Sequence, residues 1–297
     1  MSFKKIVVLG AGAIGSVYGA LLSRRKDVTL IGRKPHVEAI KLNGLKVSGD
    51  INERFFVKAE TEIEAIPSGT LILLTTKAHD TVEAIGKVKP LLKKDTVILV
   101  LQNGLGNEDL VKDVAGREVR VVRGLVTSAA EFLEAGKVVF WNGETIMEKN
   151  ETSERIALVF NESGLKTRLV NDFEREVWNK LIVNCVINPL SAIFKVRDNM
   201  VGADSLKTVR RKIIQECVAV GKAEGIHFDP NIEECVEKKI SSYSNFSSMC
   251  QDIMKGKKTE IDFLNGKIVE LGKKHGIPTP VNEALVAMIK FLETKGK

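Results

Sequence analysis

The fold of this chain is decided by residues 5–15, which read KIVVLGAGAIG. Four apolar residues typical of a buried strand lead into three glycines with the spacing G-x-G-x-x-G, and a helical pattern follows. The first glycine permits a sharp turn, the second lets a pyrophosphate approach the backbone, and the third allows close helix–strand packing. The start of the helix adds N–H donors and the positive end of its dipole. The stretch predicts a dinucleotide site with contacts from Gly10, Gly12, Ala13, Ile14 and Gly15. The alternative is a glycine turn that holds no ligand.

Short apolar strands alternate with helical segments through about the first 125 residues. The later strand-like segments are Val28–Ile31, Leu71–Thr75, Val97–Leu101 and Val119–Leu125. This rhythm predicts an α/β fold with a Rossmann-type, doubly wound and mostly parallel sheet that is covered by helices on both faces.

After about residue 170 the sequence carries helical spacing alone. The segments with this spacing are Glu174–Asn188, Ser205–Glu224, Asn231–Ser241, Glu260–His275 and Asn282–Lys295. Proline lacks an N–H and clashes with the preceding turn, so Pro189 is expected to kink or end the first of these helices. We therefore expect a nucleotide-binding Rossmann-type domain over residues 1–170 and an all-helical substrate-binding and catalytic domain over residues 171–297.

The composition argues against several classes of function. The formal net charge of the 297 residues is +7, and only 5% of them are aromatic. The charge is spread evenly, so no nucleic-acid partner is expected, although a mildly basic surface suits small anionic ligands. No apolar run approaches the ~20 residues that a membrane span needs, so no membrane partner is expected. The four cysteines show no zinc spacing, which indicates reduced thiols in a cytoplasmic protein and no metal.

The end of the second strand bears on the choice of cofactor. A site that prefers NAD usually carries an Asp or Glu there, whose carboxylate accepts hydrogen bonds from the ribose hydroxyls. In this chain Gly32 and Arg33 follow the strand, and the next acid is Glu38. A guanidinium holds a 2′-phosphate in a bidentate fork, so Arg33 favours NADP(H). The alternative is that Arg33 is a solvated loop residue.

Polar residues follow two of the later strands. Lys77 comes after the strand that begins at Leu71, and Asn103 comes after Val97–Leu101. Ligands of doubly wound sheets bind outside the carboxyl ends of the strands, so both side chains are expected near a nicotinamide and its substrate. The alternative for Lys77 is a solvated surface lysine.

The second domain contributes a polar stripe on an apolar helix. Lys180, Asn184 and Asn188 recur every four residues, so they share one helix face among Leu, Ile, Val and Cys neighbours. Buried polar groups need partners, so these three either form an internal network or face a cleft that binds a polar ligand. Further along, Ser247 and Ser248 precede a short helical segment, and Thr259 precedes Glu260. Helix capping is the simplest interpretation of these residues.

These residues together resemble the ketopantoate reductase (2-dehydropantoate 2-reductase) family over nearly the whole chain. Besides the glycine turn, the resemblance rests on Lys77-Ala78, on QNGLG at 102–106, on Lys180-x-x-x-Asn184-x-x-x-Asn188-Pro189, on Ser248-Met249-x-Gln251-Asp252 and on Thr259-Glu260-Ile261-Asp262. It implies NADPH-dependent reduction of 2-dehydropantoate to pantoate, a step towards pantothenate and coenzyme A.

The resemblance also assigns roles to individual residues. It implies that Lys180 donates the proton and that Glu260 belongs to the catalytic site. Substrate contacts fall on Asn184, Asn188, Ser248 and Asn103. Cofactor contacts beyond the glycine turn fall on Arg33, Lys77 and Asn103.

Two alternatives to this function remain. One is a related NAD(P)-dependent reductase of another 2-oxo acid, and the other is an NADP(H) sensor without turnover. The expected partner is a small-molecule 2-oxo acid, and a homodimer is compatible with the sequence.

Overall fold

The computed structural model describes residues 3–295, and the chain divides into two compact units. The first unit contains the chain up to Gln102 together with Gly106–Phe173. The second contains Asn103–Leu105 together with the chain from Glu174 onward. Three residues that closely follow a strand of the first unit therefore belong to the second.

The strands lie in the first unit and form two sheets. In chain order they are β1 (Lys5–Leu9), β2 (Asp27–Ile31), β3 (Leu45–Gly49), β4 (Glu53–Phe55), β5 (Lys58–Glu60), β6 (Thr70–Leu74), β7 (Val97–Val100), β8 (Arg120–Val126), β9 (Ala129–Glu134), β10 (Lys137–Trp141), β11 (Thr145–Glu148) and β12 (Thr167–Val170). The main sheet has the order β12-β11-β8-β7-β6-β1-β2-β5, and the smaller one β4-β3-β10-β9. Within the main sheet only the β8–β11 pair is antiparallel. The expected mostly parallel Rossmann-type sheet is confirmed.

Five α-helices accompany these sheets: α1 (Ala13–Leu22), α2 (Lys34–Asn43), α3 (Thr81–Val88), α4 (Asn107–Ala115) and α5 (Glu151–Glu162). Strand β1, which lies between β6 and β2, illustrates why the strand sequences are apolar throughout. Ile6 and Val8 belong to one buried apolar cluster, whereas Val7 and Leu9 belong to another. Successive side chains of a strand point to opposite faces, so both faces of β1 are buried.

The second unit is helical in its described residues. Its α-helices are α6 (Phe173–Phe194), α7 (Lys207–Ala223), α8 (Ile232–Ser242), α9 (Ser248–Met254), α10 (Asn265–His275) and α11 (Pro280–Lys295). The continuous helix expected over Glu260–His275 is wrong, because a short 3₁₀ turn at Ile261–Phe263 precedes α10. The turn and α10 meet at Leu264, whose ψ of −105° is not helical.

Pro189 was expected to kink or end α6, and the helix does not end there, since it continues to Phe194. Proline cannot donate to the carbonyl four residues earlier, which here belongs to Cys185. Asn265 of α10 supplies the missing donor, with its Nδ2 2.9 Å from the Cys185 carbonyl oxygen. Because this buried carbonyl remains hydrogen-bonded, the helix passes through the proline without leaving an unpaired acceptor.

Asn265 is part of a larger buried polar network that joins four helices. Its Nδ2 also donates to Asn282 Oδ1 at 2.9 Å, and Asn282 Nδ2 donates to Glu216 Oε2 at 2.7 Å. Glu216 accepts in addition from the backbone N–H groups of Val281 and Asn282, the second and third residues of α11. A carboxylate at a helix N-terminus satisfies unpaired donors there and interacts favourably with the dipole.

Helix α6 is also long and apolar enough, by length and composition alone, to cross a membrane. Its best 18-residue window has a mean hydropathy of 1.3. Polar residues such as Asn184 and Asn188 interrupt the helix, so it is not the unbroken apolar run of ~20 residues that we expected the sequence to lack. The window is 72% buried, however, and the core helix of a folded unit passes the same test. The finding is weak evidence for a membrane span.

Candidate functional site

The turn between β1 and α1 shows what each of its three glycines contributes. A Cβ on Gly10 would lie 2.5 Å from the Thr76 backbone N, and a Cβ on Gly15 would lie 2.3 Å from the Gly10 carbonyl oxygen. Neither position has room for a side chain, and Gly10 also has a φ of +110°, which other residues rarely adopt. A Cβ on Gly12, by contrast, would meet no atom within 4 Å. Packing therefore requires the first and third glycines, whereas the space beside Gly12 is open to a ligand.

The start of α1 suits an anionic group. Gly12 is exposed and occupies the N-cap position, with Ala13 and Ile14, both half-buried, in the first turn. The first N–H groups of a helix have no partner within the helix, and the dipole makes this end positive. The backbone of Ala13 and Ile14 is therefore suited to a pyrophosphate, in agreement with the open space beside Gly12.

The end of β2 passes close to this turn. A Cβ on Gly32 would lie 2.9 Å from Ala11 Cβ, so a side chain at this position would collide with the glycine turn. Arg33 follows as the N-cap residue of α2. Its side chain is exposed and makes no capping hydrogen bond. The guanidinium is thus accessible to a ligand held by the turn.

A carboxylate that sequence reasoning missed lies beside the same strand end. Glu60 of β5 is the register partner of Ile31, the last residue of β2. Lys41 Nζ donates to Glu60 Oε2 at 2.6 Å, and this hydrogen bond lowers the pKa of Glu60. The acid is therefore paired with a lysine. No local pattern pointed to it, because Glu60 comes from a strand 27 positions beyond Arg33.

Gln102 ties the ends of two neighbouring strands together. Its Nε2 donates to the Thr76 carbonyl oxygen at 2.9 Å and to Thr81 Oγ1 at 2.9 Å, and it lies 3.3 Å from the Lys77 carbonyl oxygen. Lys77 is half-buried and is the N-cap residue of the short 3₁₀ helix (Ala78–Asp80) that follows β6. The buried amide of Gln102 thereby fixes the backbone that carries Lys77. Gln102 is part of the QNGLG motif, but we had assigned no role to it.

The structure brings Asn103 and Lys180 into direct contact. Lys180 Nζ donates to Asn103 Oδ1 at 2.9 Å. Both side chains are half-buried, and both residues belong to the second unit. An ammonium group can donate hydrogen bonds in three directions, and here one of them is directed at an amide oxygen. The contact therefore holds Nζ of Lys180 beside the side chain of Asn103.

The turn at Glu260 lies next to this pair. Leu105 N donates to the Phe263 carbonyl oxygen at 3.0 Å, and Phe263 N donates to the Glu260 carbonyl oxygen at 3.0 Å. A Cβ on Gly104 would lie 2.4 Å from the same Phe263 oxygen, so only glycine allows this approach. Two backbone hydrogen bonds thus connect the segment that holds Asn103 to the buried Glu260.

The remaining candidates lie along the C-terminal half of α6 and at the start of α9. Asn184 is half-buried and Asn188 is buried. Ser191 donates to the Asn188 carbonyl oxygen at 3.2 Å, and its Oγ lies 2.7 Å from Ser247 Oγ. Ser248, the exposed first residue of α9, comes next in the chain. The turns that carry Asn188 and Ser248 are therefore joined.

The capping roles that we expected near Ser248 and Glu260 fall on their neighbours. Ser247, not Ser248, caps α9 by accepting from Cys250 N at 3.1 Å. Glu260 makes no side-chain cap, whereas Thr259 Oγ1 accepts from Ile261 N at 3.2 Å. Capping by a serine before the short helix is therefore confirmed at Ser247, and the cap expected at Thr259 is confirmed as well. Ser248 and Glu260 themselves do not serve as caps.

Asp198 is a further polar residue of this region that sequence reasoning missed. It is only 4% exposed, and Asn245 Nδ2 donates to its Oδ2 at 3.1 Å. Burial raises the pKa of Asp198 to about 7, and hydrogen bonds from Ser247 and Ser191 partly oppose the shift. Asp198 is therefore a buried acid whose Oδ2 is held by Asn245.

Within residues 3–295, no group of three or more His, Cys, Asp or Glu side chains is arranged to hold a metal ion. The four cysteines carry free thiols, and three of them are buried.

Comparison with known families gives matches over both units. The family described as "Ketopantoate reductase PanE/ApbA" matches residues 6–151, and its C-terminal counterpart, "Ketopantoate reductase PanE/ApbA C terminal", matches residues 172–293.

Individual proteins are similar over the same length. The 2-dehydropantoate 2-reductase of Pyrococcus horikoshii is 38% identical, with 98% of each chain covered. The crystal structure of a PanE/ApbA family ketopantoate reductase from Ralstonia eutropha has a TM-score of 0.92 at 33% identity, covering 98% of this chain and 99% of that one. A D-mandelate dehydrogenase, solved with NADH and anilino(oxo)acetate, has a TM-score of 0.90 at 28% identity and the same coverage.

Proposed function

Since the chain belongs to the ketopantoate reductase family, we propose that it reduces 2-dehydropantoate to pantoate with NADPH, a step towards pantothenate and coenzyme A. The observation that carries this proposal is the contact between Lys180 Nζ and Asn103 Oδ1 at 2.9 Å. In the proposed reaction this contact would hold the proton donor in a fixed direction, which supports the reduction of a carbonyl group.

The first unit offers the groups that would hold the cofactor. The open space beside Gly12 and the N-terminus of α1 suit the pyrophosphate. The exposed guanidinium of Arg33 suits a 2′-phosphate, because a planar fork of N–H donors matches phosphate oxygens. The Glu60 carboxylate, which would favour ribose hydroxyls in an NAD site, is paired with Lys41. We therefore favour NADPH.

The second unit supplies the proton. When bound, the reduced nicotinamide supplies the hydride that adds to C2 of the oxo acid, so the carbonyl oxygen gains negative charge. Lys180 Nζ would donate a hydrogen bond to that oxygen and transfer its proton, leaving a neutral amine and a C2 hydroxyl group. Asn103 Oδ1 would keep Nζ directed during this step, and the buried Glu260 would support the same region through the Phe263 turn.

The substrate's other polar groups would be bound along α6 and α9. The side-chain amides of Asn184 and Asn188 offer both donors and acceptors on one helix face. Ser248 offers a hydroxyl at the first residue of α9, where it can donate to a carboxylate. The buried link between Ser191 and Ser247 would hold the two sets at a constant separation.

A second candidate function is the NADH-dependent reduction of a different 2-oxo acid. The observation that favours it is the likeness to a D-mandelate dehydrogenase solved with NADH and anilino(oxo)acetate. The shared chemistry is the same proton and hydride transfer, with another side chain on the oxo acid.

One experiment separates these functions. The purified protein is assayed for oxidation of NADPH and NADH with 2-dehydropantoate, with an aromatic 2-oxo acid and with branched aliphatic 2-oxo acids. We expect the highest kcat/KM for 2-dehydropantoate with NADPH. A higher value for another acid or for NADH would move the assignment to the second candidate. Cofactor binding without oxidation on any acid would identify a sensor instead of an enzyme.

For this function we propose a cytoplasmic location, where cofactor and oxo acid are both available. Sedimentation of the purified protein tests whether it forms a homodimer.

A further inference from the structure

A buried histidine in the first unit connects three elements around the cofactor-binding turn. His36 lies in the first turn of α2 and is 4% exposed. Its Nε2 is 2.9 Å from Ser16 Oγ of α1, and its Nδ1 accepts from Gly136 N at 3.0 Å. Gly136 belongs to the turn between β9 and β10. A single ring therefore joins α1, α2 and this hairpin.

The partners fix the protonation of the ring. A backbone N–H can only donate, so Nδ1 must be the acceptor and carry no proton. Nε2 then carries the proton and donates to Ser16 Oγ, since a neutral imidazole has one donor and one acceptor. Burial lowers the pKa of His36, which keeps this neutral form dominant near neutrality.

His36 completes a short chain of hydrogen bonds between the two expected anion sites. Ser16 N donates to the Gly12 carbonyl oxygen at 2.9 Å, which joins Ser16 to the glycine turn. The Ser16 hydroxyl then bonds to the His36 ring. His36 N finally donates to the Arg33 carbonyl oxygen at 3.0 Å. Three consecutive bonds thus lead from Gly12 to Arg33.

The spacing of these two sites matters because the ligand is covalently continuous. In NADPH the pyrophosphate and the 2′-phosphate are joined through one ribose. Once the pyrophosphate is bound at the glycine turn, the 2′-phosphate therefore cannot move to follow a guanidinium that has shifted. Sites held by a second layer of hydrogen bonds keep the geometry that recognition requires.

We infer that His36 is a positioning residue that holds Arg33 at the distance from the glycine turn that a 2′-phosphate requires, and so contributes to the preference for NADPH over NADH. The inference rests on the proposed NADPH preference and goes beyond it, because it assigns part of that preference to a side chain that does not touch the cofactor.

The test uses two amides that each preserve a different one of the ring's bonds. The longer His36→Gln keeps a donor near the position of Nε2 and so retains the link to Ser16. The shorter His36→Asn keeps an acceptor near the position of Nδ1 and so retains only the link to Gly136. Dissociation constants for NADPH and NADH are measured by fluorescence titration without any oxo acid, so the result does not depend on the identity of the substrate.

We expect His36→Asn to reduce the NADPH-over-NADH affinity ratio by about five- to tenfold, the scale of a weakened charge-assisted hydrogen bond. His36→Gln should keep most of the ratio. Ser16→Ala, which breaks the same link from the other side, should match His36→Asn. The double variant Ser16→Ala/His36→Asn should lower the affinity ratio no further than either single variant, because both substitutions remove the same hydrogen bond between Ser16 and His36.

The control for general loss of stability is Tyr18→Phe. It removes another buried hydrogen bond of α1, to Thr145 Oγ1 at 2.7 Å, and should lower the melting temperature without changing the ratio. An unchanged ratio in both His36→Asn and Ser16→Ala would overturn the inference. Equal affinity of the unmodified protein for NADPH and NADH would instead reject the proposed cofactor preference, and the inference with it.

Discussion

Lys180 Nζ donates a hydrogen bond to Asn103 Oδ1 across 77 positions of the chain, with a length of 2.9 Å. Asn103 follows a strand of the first unit but belongs to the second, where Leu105 and Gly104 pack against Phe263. The lysine is therefore directed by a side chain of its own unit before any substrate is present.

If Lys180 is the proton donor, its removal should affect turnover far more than binding. A general acid contributes about 10²–10⁴ in rate, so we expect Lys180→Ala to lower kcat by about that factor while the NADPH dissociation constant changes little. Lys180→Arg should not restore activity, because a guanidinium gives up its proton poorly. Steady-state kinetics, with melting temperature alongside, test this. A folded Lys180→Ala protein with near-normal kcat would remove Lys180 from the mechanism.

Arg33→Ala should distinguish the two nicotinamide cofactors. Hydrogen bonds to charged groups contribute about 1.5–3 kcal/mol, so kcat/KM with NADPH should fall by roughly tenfold or more, and with NADH hardly at all. Lys34→Ala is a matched control, because this neighbouring cation is exposed and its Nζ lies 3.8 Å from Glu38 Oε1. Equal losses with both cofactors would contradict a role in 2′-phosphate binding.

Two glycine substitutions in the same turn should have opposite consequences. Gly12→Ala adds a methyl group into open space, so the protein should fold normally. The methyl group would occupy space that the bound cofactor needs, and overpacking of a filled site typically costs ~1–3 kcal/mol. We therefore expect NADPH to bind at least about fivefold less tightly. Gly10→Ala meets backbone atoms and a positive φ, so it should lower the melting temperature markedly. Thermal denaturation and fluorescence titration measure the two effects. A destabilised Gly12→Ala protein with normal affinity would be the contrary result.

Asp198→Asn should stabilise the protein in a pH-dependent way. Burial raises the pKa of Asp198 to about 7, from 3.8 for an unperturbed side chain. At a pH between these two pKa values, the Asp198 carboxyl group loses its proton more readily in the unfolded state than in the folded state. Asp198 therefore lowers the stability of the folded protein as the pH rises. We expect Asp198→Asn to raise the melting temperature more at about pH 8 than at about pH 4. The exposed Asp204→Asn is the control. A pH-independent difference would show that the carboxyl group has no raised pKa.

The bond from Asn265 to the Cys185 carbonyl should depend on Pro189. Asn265→Leu leaves buried acceptors without partners, which costs about 1–3 kcal/mol for each such group. In a Pro189→Ala background the backbone regains an N–H at this position, which can donate to Cys185 within the helix, so Asn265→Leu should cost less. Denaturant unfolding of the two single variants and the double variant measures this coupling. Purely additive losses would mean that Asn265 does not compensate for the proline.

Local patterns in the sequence were sufficient to predict much of this architecture. The apolar run before Gly10 predicted a strand buried on both faces, and β1 divides its side chains between two cores. The four-residue spacing of Lys180, Asn184 and Asn188 predicted a shared helix face, and α6 contains all three. These inferences need only the periodicity of a helix or strand, which each segment carries within itself.

Three of the errors and omissions involve partners or surroundings that are distant in the chain. Pro189 was expected to disturb α6, because its compensating donor, Asn265, lies on another helix. Glu60 was missed because only strand register brings it beside Ile31. Asp198 has a raised pKa through burial, which no local pattern reveals. Long-range pairing therefore sets the limit of what these stretches could predict.

The hydrogen bond from Asn265 to Cys185 also has a consequence for the order in which the chain is assembled. It joins positions 80 residues apart, so during synthesis α6 emerges well before its partner. Until α10 is in place, the helix beyond Cys185 contains a proline and an unpaired carbonyl group, and we expect these turns, with Asn188 and Ser191, to become ordered late. The nascent chain would then complete its nucleotide fold first and acquire the turns of Asn188 and Ser191 only with the last third of the sequence.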